Sequence, residues 1–447
     1  MESVASKMGE VAEADDHTES WAGELPRVPH TEGRPALRLT YFGLLLFTLV
    51  YFVRPSDWVP GLGTFPIAKV TGLVPIVLLA GAVLAGYKLR MNRELWLLIA
   101  LFIQLLLCIP FSIWRGGSFA TVLFGFSKAV VLALIGIQVL NTATRIRRMI
   151  FVQTAAVVLV AALSLYEGVS IGGRMSGALH GIFENPNDLA GCITVVLPFA
   201  LLFMLLARNA IKKLVWLGVI VLLVWAVVGT YSRGGFLSMI AVTLAIAWFF
   251  GYKGGHKKLF AAIVLVICLL PVTFFVSGSY STRVKSIFDF SLDQTGSADA
   301  RRGLFTTSLE LTLKHPFFGI GPGQFAVVSG NWHVAHNSFT EMGAEAGIPG
   351  FVLFLWLLAR TFNQLRKSRP PTTPSYRELG LLRMAALSSM IAFAVSACFA
   401  SYEYEFYPYI LIACCCGVSN LAMNAQDGEE KSPTAKARFE EVALCAE

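Results

Sequence analysis

The sequence has little charge. Only 14% of its 447 residues are Asp, Glu, Lys or Arg, whereas 55% are hydrophobic and the mean hydropathy is +0.65. A soluble domain has about 25% charged residues, so this composition excludes that class. The strand-length alternation of apolar and polar residues that marks a membrane β-barrel is also missing. The sequence therefore predicts an all-α fold, a polytopic bundle of transmembrane helices.

Motifs for metals and common cofactors are missing too. No CxxC pair and no acidic DxD pair lies in a predicted outer loop, so we expect no metal site. No Walker or Rossmann glycine pattern and no internal repeat is present, so no cofactor is predicted. The start of the chain lacks an apolar segment typical of a cleavable signal, and none is expected.

The cysteines do not predict a disulfide framework. Cys445 lies in the C-terminal tail, and the other seven fall in predicted membrane spans, where we interpret them as small packing residues. These seven are Cys108, Cys192, Cys268, Cys398, Cys414, Cys415 and Cys416.

Long apolar runs are abundant. Spanning a bilayer takes roughly 20 apolar residues in a helix, and such windows divide the chain into three parts: a disordered cytoplasmic tail at 1–36, a membrane domain at 37–424 and a cytoplasmic tail at 425–447. The predicted spans are 37–53, 67–87, 94–114, 118–140, 149–168, 188–207, 213–231, 234–251, 257–277, 337–360, 380–400 and 406–424.

Basic residues predict the orientation. Alternate loops are rich in Lys and Arg, which are retained on the cytoplasmic side, so both termini are expected there. These loops account for the net charge of +8 and suit a lipid bilayer with anionic headgroups, so no nucleic acid partner is predicted.

The first informative outer loop is GGRMSGALHGIFENPNDLAG, residues 172–191. Its Asn185, Asn187 and Asp188 surround a proline before the sixth span, a pattern typical of a helix cap. The alternative is a polar pocket in which these side chains bind sugar hydroxyls.

The second outer loop, GTYSRGGFLSM, places Arg233 at the edge of the membrane. An arginine at membrane depth costs about 2.5–3.5 kcal/mol unless it reaches an anion or water. The side chain either extends to the interface or forms a phosphate site with the adjacent glycines.

The third outer loop, 278–336, is the longest. Leu304, Phe305, Leu309 and Leu313 recur at helical spacing up to His315 and Pro316, which predicts an amphipathic helix on the membrane surface with Arg301 and Arg302 at its start. The following GIGPGQF predicts a glycine-rich turn.

His336 and Asn337 close this loop. With His336 placed at a helix start, Gly343, Gly347 and Gly350 form a stripe on its side of the helix that predicts tight packing. A neutral imidazole can accept a hydroxyl proton near neutral pH, although a polar residue at a helix start is more often a cap. Glu345 lies roughly opposite His336, and a structural ion pair is expected for it.

These motifs together resemble the O-antigen ligase and polymerase family, membrane glycosyltransferases that use polyprenyl-diphosphate-linked glycans. The resemblance covers about 170–360 and is strongest in HNSFTEMGAEAGIPG. The other matching pieces, in the family's order, are GIFENPNDLAG, GTYSRGGFLSM, and an arginine followed by ELTLKHPFFGIGPGQF.

The resemblance implies a metal-independent, inverting transfer at the periplasmic face of a bacterial inner membrane. The donor would be an undecaprenyl-diphosphate-linked glycan, and the acceptor a second glycan or a lipid A core. His336 would be the general base, and Arg233 with Arg301 or Arg302 would bind the diphosphate. The family's spacing favours Arg301, because an aromatic residue follows it by four positions. That residue is Phe305 rather than the family's usual tryptophan, so the choice between Arg301 and Arg302 stays open. Glycan-binding candidates are Asn185, Asn187, Asp188 and Asn337.

Two alternatives remain at this level. About twelve spans also suit a transporter or flippase of lipid-linked glycans, but such proteins usually place charges near the midplane and show related halves. Within the enzyme class, the motifs do not separate a ligase, which moves a finished chain, from a polymerase, which extends one.

Overall fold

The computed structural model describes the chain from the start of the first membrane helix to the end of the last. All described residues belong to one unit, Gly33–Glu447. The described ranges are 35–59, 61, 65–168, 170–171, 174–179, 181–255, 257–258, 297–329 and 333–430.

The described residues are mainly helical, which confirms the predicted all-α class, and eleven of their helices are long and apolar enough to cross a membrane. The helices are α1 (Pro35–Val53), α2 (Ile67–Leu84), α3 (Arg93–Cys108), α4 (Arg115–Val139), α5 (Ala143–Glu167), α6 (Pro186–Leu206), α7 (Ala210–Gly229), α8 (Arg233–Lys253), α9 (Ser297–Lys314), α10 (Ser338–Lys367), α11 (Arg377–Ser396) and α12 (Phe406–Glu430).

Shorter elements connect them. One-turn helices cover Pro55–Trp58, Ile109–Phe111, Gly181–Phe183, Phe325–Val328 and Pro374–Tyr376, and π-helical segments occupy Thr121–Phe126 in α4 and Ala247–Lys253 in α8. Strands β1 (Ser170–Ile171) and β2 (Arg174–Met175) form an antiparallel pair with Ser170 opposite Met175.

Eleven of the twelve predicted spans coincide with helices, and the ninth, 257–277, lies mostly outside the described residues. The bounds differ where a helix continues into polar sequence. Helix α5 begins at Ala143 rather than 149 because Thr142 caps it, its hydroxyl accepting from the Arg145 amide at 3.2 Å. An apolar window omits such polar turns, although they are helical.

The helices differ in how far they are enclosed by protein. In their most apolar stretches, 83% of residues in α6 and α12 are buried, against 17% in α7. Helices α6 and α12 are therefore central, and α7 presents most of its surface to lipid. Helix α11 packs against both α6 and α8.

The described cysteines are free. Five of them are buried packing residues, as predicted, whereas Cys398 lies beyond the end of α11 and is exposed, so its placement inside a span was wrong. The buried five are Cys108, Cys192, Cys414, Cys415 and Cys416.

Helix α10 is broken at Gly347, whose φ of 71° and ψ of −177° are not helical. The predicted glycine stripe is therefore wrong, because residues on either side of the break do not share one helical surface. The carbonyl oxygens near the break accept hydrogen bonds from a side chain. Gln104 on α3 donates from Nε2 to the oxygens of Ala346 at 3.0 Å and Phe317 at 2.8 Å.

Helix α9 lies against the first half of α10. A Cβ atom built at Gly343 would lie 3.0 Å from Thr312 Oγ1, so the missing side chain permits close approach. Leu304 and Leu311 of α9 pack on a small cluster of Ile320, Phe325, Ala335 and Ala344.

The predicted apolar face of α9 divides into two parts. Leu304 packs inward, whereas Phe305, Leu309 and Leu313 are exposed. The spacing of these three fits a surface directed at lipid, and contact with the membrane stays a prediction.

Candidate functional site

A cavity of about 600 Å³ lies where α9, the start of α6 and the segment before α10 meet. It brings together five of the eight residues that the sequence suggested: Asn185, Asn187, Asp188, Arg301 and His336. Three do not line it, namely Arg233, Arg302 and Asn337. The full lining is Arg174, Gly181, Glu184, Asn185, Pro186, Asn187, Asp188, Ala300, Arg301, Leu304, His333 and His336.

His336 has a backbone conformation that few non-glycine residues adopt. Its φ is 52°, in the left-handed region. The preceding amide, of Ala335, donates to Glu341 Oε2 at 3.1 Å, and the Ser401 hydroxyl donates to the same oxygen. Glu341 therefore fixes the turn that directs His336 into the cavity.

The His336 imidazole is neutral at pH 7. Burial, together with the positive charges of Arg301, His333 and Arg174, lowers its pKa from 6.5 to about 4. A neutral imidazole has a free nitrogen lone pair that can accept a proton from a bound hydroxyl, although the surrounding positive charges weaken it as a base.

The next residue, Asn337, is the N-cap of α10. Its Oδ1 accepts from the amides of Phe339 at 3.1 Å and Thr340 at 3.2 Å. His336 consequently precedes the helix rather than starting it. The glycan-binding role suggested for Asn337 stays a prediction, and its side-chain oxygen is already used in the cap.

Asn185 and Asn187 have different tasks at the start of α6. Asn185 is the cap, since its Oδ1 accepts from the Asn187 amide at 2.9 Å. Asn187 Oδ1 accepts from Arg174 Nη2 at 2.9 Å and from the Ser232 hydroxyl at 2.7 Å. The Asn187 side chain thus connects the start of α6 to strand β2 and to the residue before α8 at the cavity wall.

Arg174 is a site residue that sequence reasoning missed. Strand β2 carries it, and besides Asn187 its guanidinium donates from Nε to the carbonyl oxygen of Thr230 at 3.2 Å. The only signal in the sequence was an arginine in an outer loop that is otherwise poor in basic residues. Which side chains this arginine would meet depends on contacts distant in sequence.

Arg301 and Arg302 occupy different sides of α9. Arg301 is partly buried and lines the cavity, whereas Arg302 is exposed and does not. The positive charge of Arg301 also contributes to the lowered pKa of His336. This arrangement favours Arg301, the residue that the family spacing also favours.

Arg233 is the first residue of α8 and lies beside the cavity wall. The preceding Ser232 caps α8 by accepting from the Gly235 amide at 2.9 Å, and its hydroxyl donates to Asn187. Arg233 is therefore one residue from a side chain that contacts the lining, although it is not part of that lining itself.

The glycine-rich turn binds a carboxylate of the protein. Glu345 accepts from the amides of Gly323 at 2.6 Å and Phe325 at 2.7 Å, and from the Tyr404 hydroxyl at 2.7 Å. Among the described residues no cation pairs with Glu345, so the expected ion pair was wrong. Because His336 precedes the helix, a helical wheel starting there gave no guide to the contacts of Glu345.

The segment between α11 and α12, residues 397–405, was also missed. It holds the start of α10, since the Ser338 amide donates to the oxygens of Ala397 and Ala400, and the Tyr402 amide donates to Ser338 Oγ at 2.7 Å. Burial and the nearby carboxylates Glu341 and Glu345 raise the pKa of Glu403 well above its usual range. The alternating tyrosines and glutamates of SYEYEFY were the available signal.

Comparison with known proteins identifies the region. Residues 218–355 match the family model described as O-antigen ligase, whereas no curated protein matches the chain. The match runs from α7 into α10, so it contains Arg233, Arg301 and His336 and excludes Arg174 and the start of α6. This match supports membership of the O-antigen ligase and polymerase family, membrane proteins that carry out glycosyl transfer with lipid-linked glycans.

Proposed function

We propose that the chain transfers a glycan from undecaprenyl diphosphate to an acceptor hydroxyl, with inversion at the anomeric carbon. The observation that carries this proposal is the cavity itself, where a neutral His336 shares one space with Arg301 and Arg174. Its volume of about 600 Å³ lies within the usual range of small-ligand sites.

His336 acts as the general base. As the acceptor oxygen forms its bond to the anomeric carbon, the hydroxyl proton moves to the imidazole, and the bond from that carbon to the diphosphate oxygen breaks. A positioned base of this kind contributes about 10²–10⁴ in rate. The hydrogen bond from Ala335 to Glu341 supports this role, because it fixes the backbone beside the histidine.

Arg301 and Arg174 stabilise the departing diphosphate. A guanidinium group forms paired hydrogen bonds with phosphate oxygens, and its charge is most effective where negative charge develops in the transition state. Arg174 donates to Asn187 and Thr230, and these two bonds hold its guanidinium at the cavity wall. Arg233 contributes from beside the wall, and Arg302 faces away.

The start of α6 binds sugar hydroxyls. Asp188 and Asn187 line the cavity opposite α9, where the Asp188 carboxyl can accept a hydrogen bond from a glycan and the Asn187 Nδ2 can donate one. The acceptor is a second glycan or a lipid A core.

The site faces the periplasm of a bacterial inner membrane, and both termini are cytoplasmic. Support for this orientation comes from the basic loops at the opposite ends of the helices. The donor enters from the outer leaflet beneath the 278–336 loop, of which 297–329 and 333–336 are described.

Lipid-linked glycans extracted from host cells test the proposal. Cells with His336→Ala are expected to lose transfer while the protein stays in the membrane. Single repeat units accumulating on undecaprenyl diphosphate identify a polymerase, whereas long chains remaining on that lipid identify a ligase. The glycans are sized by gel electrophoresis and mass spectrometry.

His315→Ala is the matched control, because this histidine is exposed and does not line the cavity. Its glycan profile is expected to equal that of wild type. An unchanged profile in His336→Ala would contradict the proposed base and favour a transporter of lipid-linked glycans.

A further inference from the structure

A second cavity, of about 870 Å³, lies at the opposite end of α10 from the candidate site. We call it the basic slot. Its wall on α10 includes Trp356, Ala359, Arg366 and Lys367, and its wall on α12 includes Met423. Nothing in the proposed transfer uses these residues, and they are separated from His336 by most of the length of α10.

The slot is apolar at one end and basic at the other. Positions 356, 359, 363, 366 and 367 share one face of α10, since they recur at intervals of three or four. From Trp356 to Lys367 this face rises about 16 Å along the axis. Trp356 and Met423 are exposed at the deeper end, and the charged side chains lie at the helix terminus.

Two positive charges at this terminus have no ion-pair partner among the described residues. Within the described part of the chain, Arg366 and Lys367 form no ion pair, and none of the described lining residues is acidic. Arg360 differs, because its Nε lies 3.1 Å from the buried carboxylate of Glu94.

The backbone under these charges is fixed. Arg383 of α11 donates from Nε to the carbonyl oxygen of Leu365 at 2.8 Å and from Nη2 to that of Arg366 at 2.6 Å. These bonds satisfy carbonyl groups at the end of α10, which would otherwise oppose an anion. The side chain of Arg366 stays exposed.

A buried acceptor completes the slot. Among the described residues, Oε1 of Gln364 has no hydrogen-bond partner, although it is inaccessible to solvent and its residue lines the slot. Such an atom costs free energy unless a donor reaches it. The slot thus offers cations for a phosphate and an apolar wall for a hydrocarbon chain, and a small rotation of the Gln364 side chain would present an acceptor for a hydroxyl.

We propose that the basic slot binds one anionic phospholipid of the leaflet opposite the candidate site. The phosphate contacts Arg366 and Lys367, a headgroup hydroxyl donates to Gln364, and an acyl chain lies along Trp356 and Met423. Basic pockets between membrane helices are known to suit anionic headgroups. The apolar end favours an intact lipid over a free phosphate compound.

Native mass spectrometry of the full-length protein in mild detergent tests this site. Phosphatidylglycerol is titrated, with phosphatidylcholine as the neutral reference lipid. Arg366→Gln with Lys367→Gln is expected to weaken binding of the first phosphatidylglycerol about thirtyfold, given the usual contribution of each basic residue near anionic lipid. Both side chains are exposed, so the double variant should fold.

The control is Lys212→Gln with Lys213→Gln, which removes the same charge from the exposed start of α7. Binding of the first phosphatidylglycerol is expected to be unchanged. Equal weakening by both double variants would overturn the site, because it would show only general attraction to anionic lipid.

Deacylated glycerophosphoglycerol separates lipid from headgroup. It should compete at least tenfold more weakly than phosphatidylglycerol, because it lacks the chain that contacts Trp356 and Met423. Equal competition would overturn the assignment to a phospholipid and indicate a site for a soluble phosphate compound.

Discussion

The two ends of α10 collect positive charge in different ways. Before Ser338, cationic and imidazole groups come from β2, α9 and the segment leading into α10, three parts of the chain that are far apart in sequence. At Lys367, the charges are neighbours on one turn. The first arrangement depends on hydrogen bonds that join distant segments, whereas the second follows from helical periodicity alone.

The two ends also treat carboxylates differently. Near the candidate site, Glu341 and Glu345 accept hydrogen bonds from backbone amides and hydroxyl groups, so they fix loops around the cavity. At the other end, Glu94 pairs with Arg360. Buried acids thus organise backbone at one end and balance a side-chain charge at the other.

Arg301→Ala is the strongest test of whether the positive charges near His336 contribute to glycan transfer. We expect the transfer rate to fall about 10²–10³-fold, as when one preorganised donor to a developing negative charge is lost. Arg302→Ala removes the same charge from the exposed side of α9 and should change the rate less than about threefold. Initial rates with purified donor and acceptor provide the measurement, and equal losses would erase the distinction between the two arginines.

Gly347→Ala tests whether the break between the two halves of α10 requires glycine. An added Cβ would lie 2.7 Å from the Phe317 carbonyl carbon and from the Pro316 oxygen, at a φ of +71°. The conformation alone costs about 1–3 kcal/mol in a non-glycine residue, and the clash adds to it. We expect the free energy of unfolding to fall by about 3 kcal/mol or more, as followed by denaturant titration in detergent.

Gly218→Ala is the control for this change. Nothing lies within 4 Å of a Cβ built there, and the residue is within α7. Replacing an unstrained helical glycine by alanine is expected to raise stability by up to about 1 kcal/mol. Similar losses in the two variants would show that the break at Gly347 has no special requirement for glycine.

Glu345 is the acceptor for the glycine-rich turn, and replacing it tests whether this buried acid stabilises the backbone there. Glu345→Ala leaves the amides of Gly323 and Phe325 without their partner. An unsatisfied buried donor costs about 1–3 kcal/mol, so a drop in unfolding free energy of at least that size is expected. If the loss is below about 0.5 kcal/mol, the turn does not depend on this carboxylate.

The pH dependence of protein stability tests the lowered pKa of His336. Its folded pKa of about 4 is below the ordinary value of 6.5, so between these values the unfolded chain binds a proton that the folded protein does not. This residue therefore lowers stability as pH falls from 6.5 towards 4 and has no such effect above 6.5. His336→Gln should reduce the change in thermal midpoint between pH 7 and pH 5, and an identical change in both proteins would contradict the lowered pKa.

Much of the architecture could be predicted because it depends on local composition. The hydrocarbon core requires long apolar helices, and eleven predicted spans coincide with described ones. The end of α9 at Lys314 also follows from local signals, since His315 and Pro316 come directly after it. Caps such as Asn185 belong to the same class, because donor and acceptor are two residues apart.

The candidate site could be predicted only in part. His336 and Arg301 were suggested by their family motifs, and the structure places them at one cavity. Arg174 was missed because its partners, Asn187 and Thr230, lie 13 and 56 residues away. The error at Glu345 has a similar origin, since the amides it binds belong to a turn about twenty residues earlier.

The C-terminal end of α9 is held in place, so a small tilt of this helix moves its N-terminal end most. The turn that follows it is tied to α10 at the break, where the Ile348 amide donates to Pro316 at 2.7 Å and the Ile320 amide donates to Ala344 at 2.9 Å. Arg301 lies at the far end, about 21 Å from His315 along the axis. A tilt of α9 by about 5° around this fixed end moves Arg301 by roughly 2 Å, which is enough to make or break a hydrogen bond.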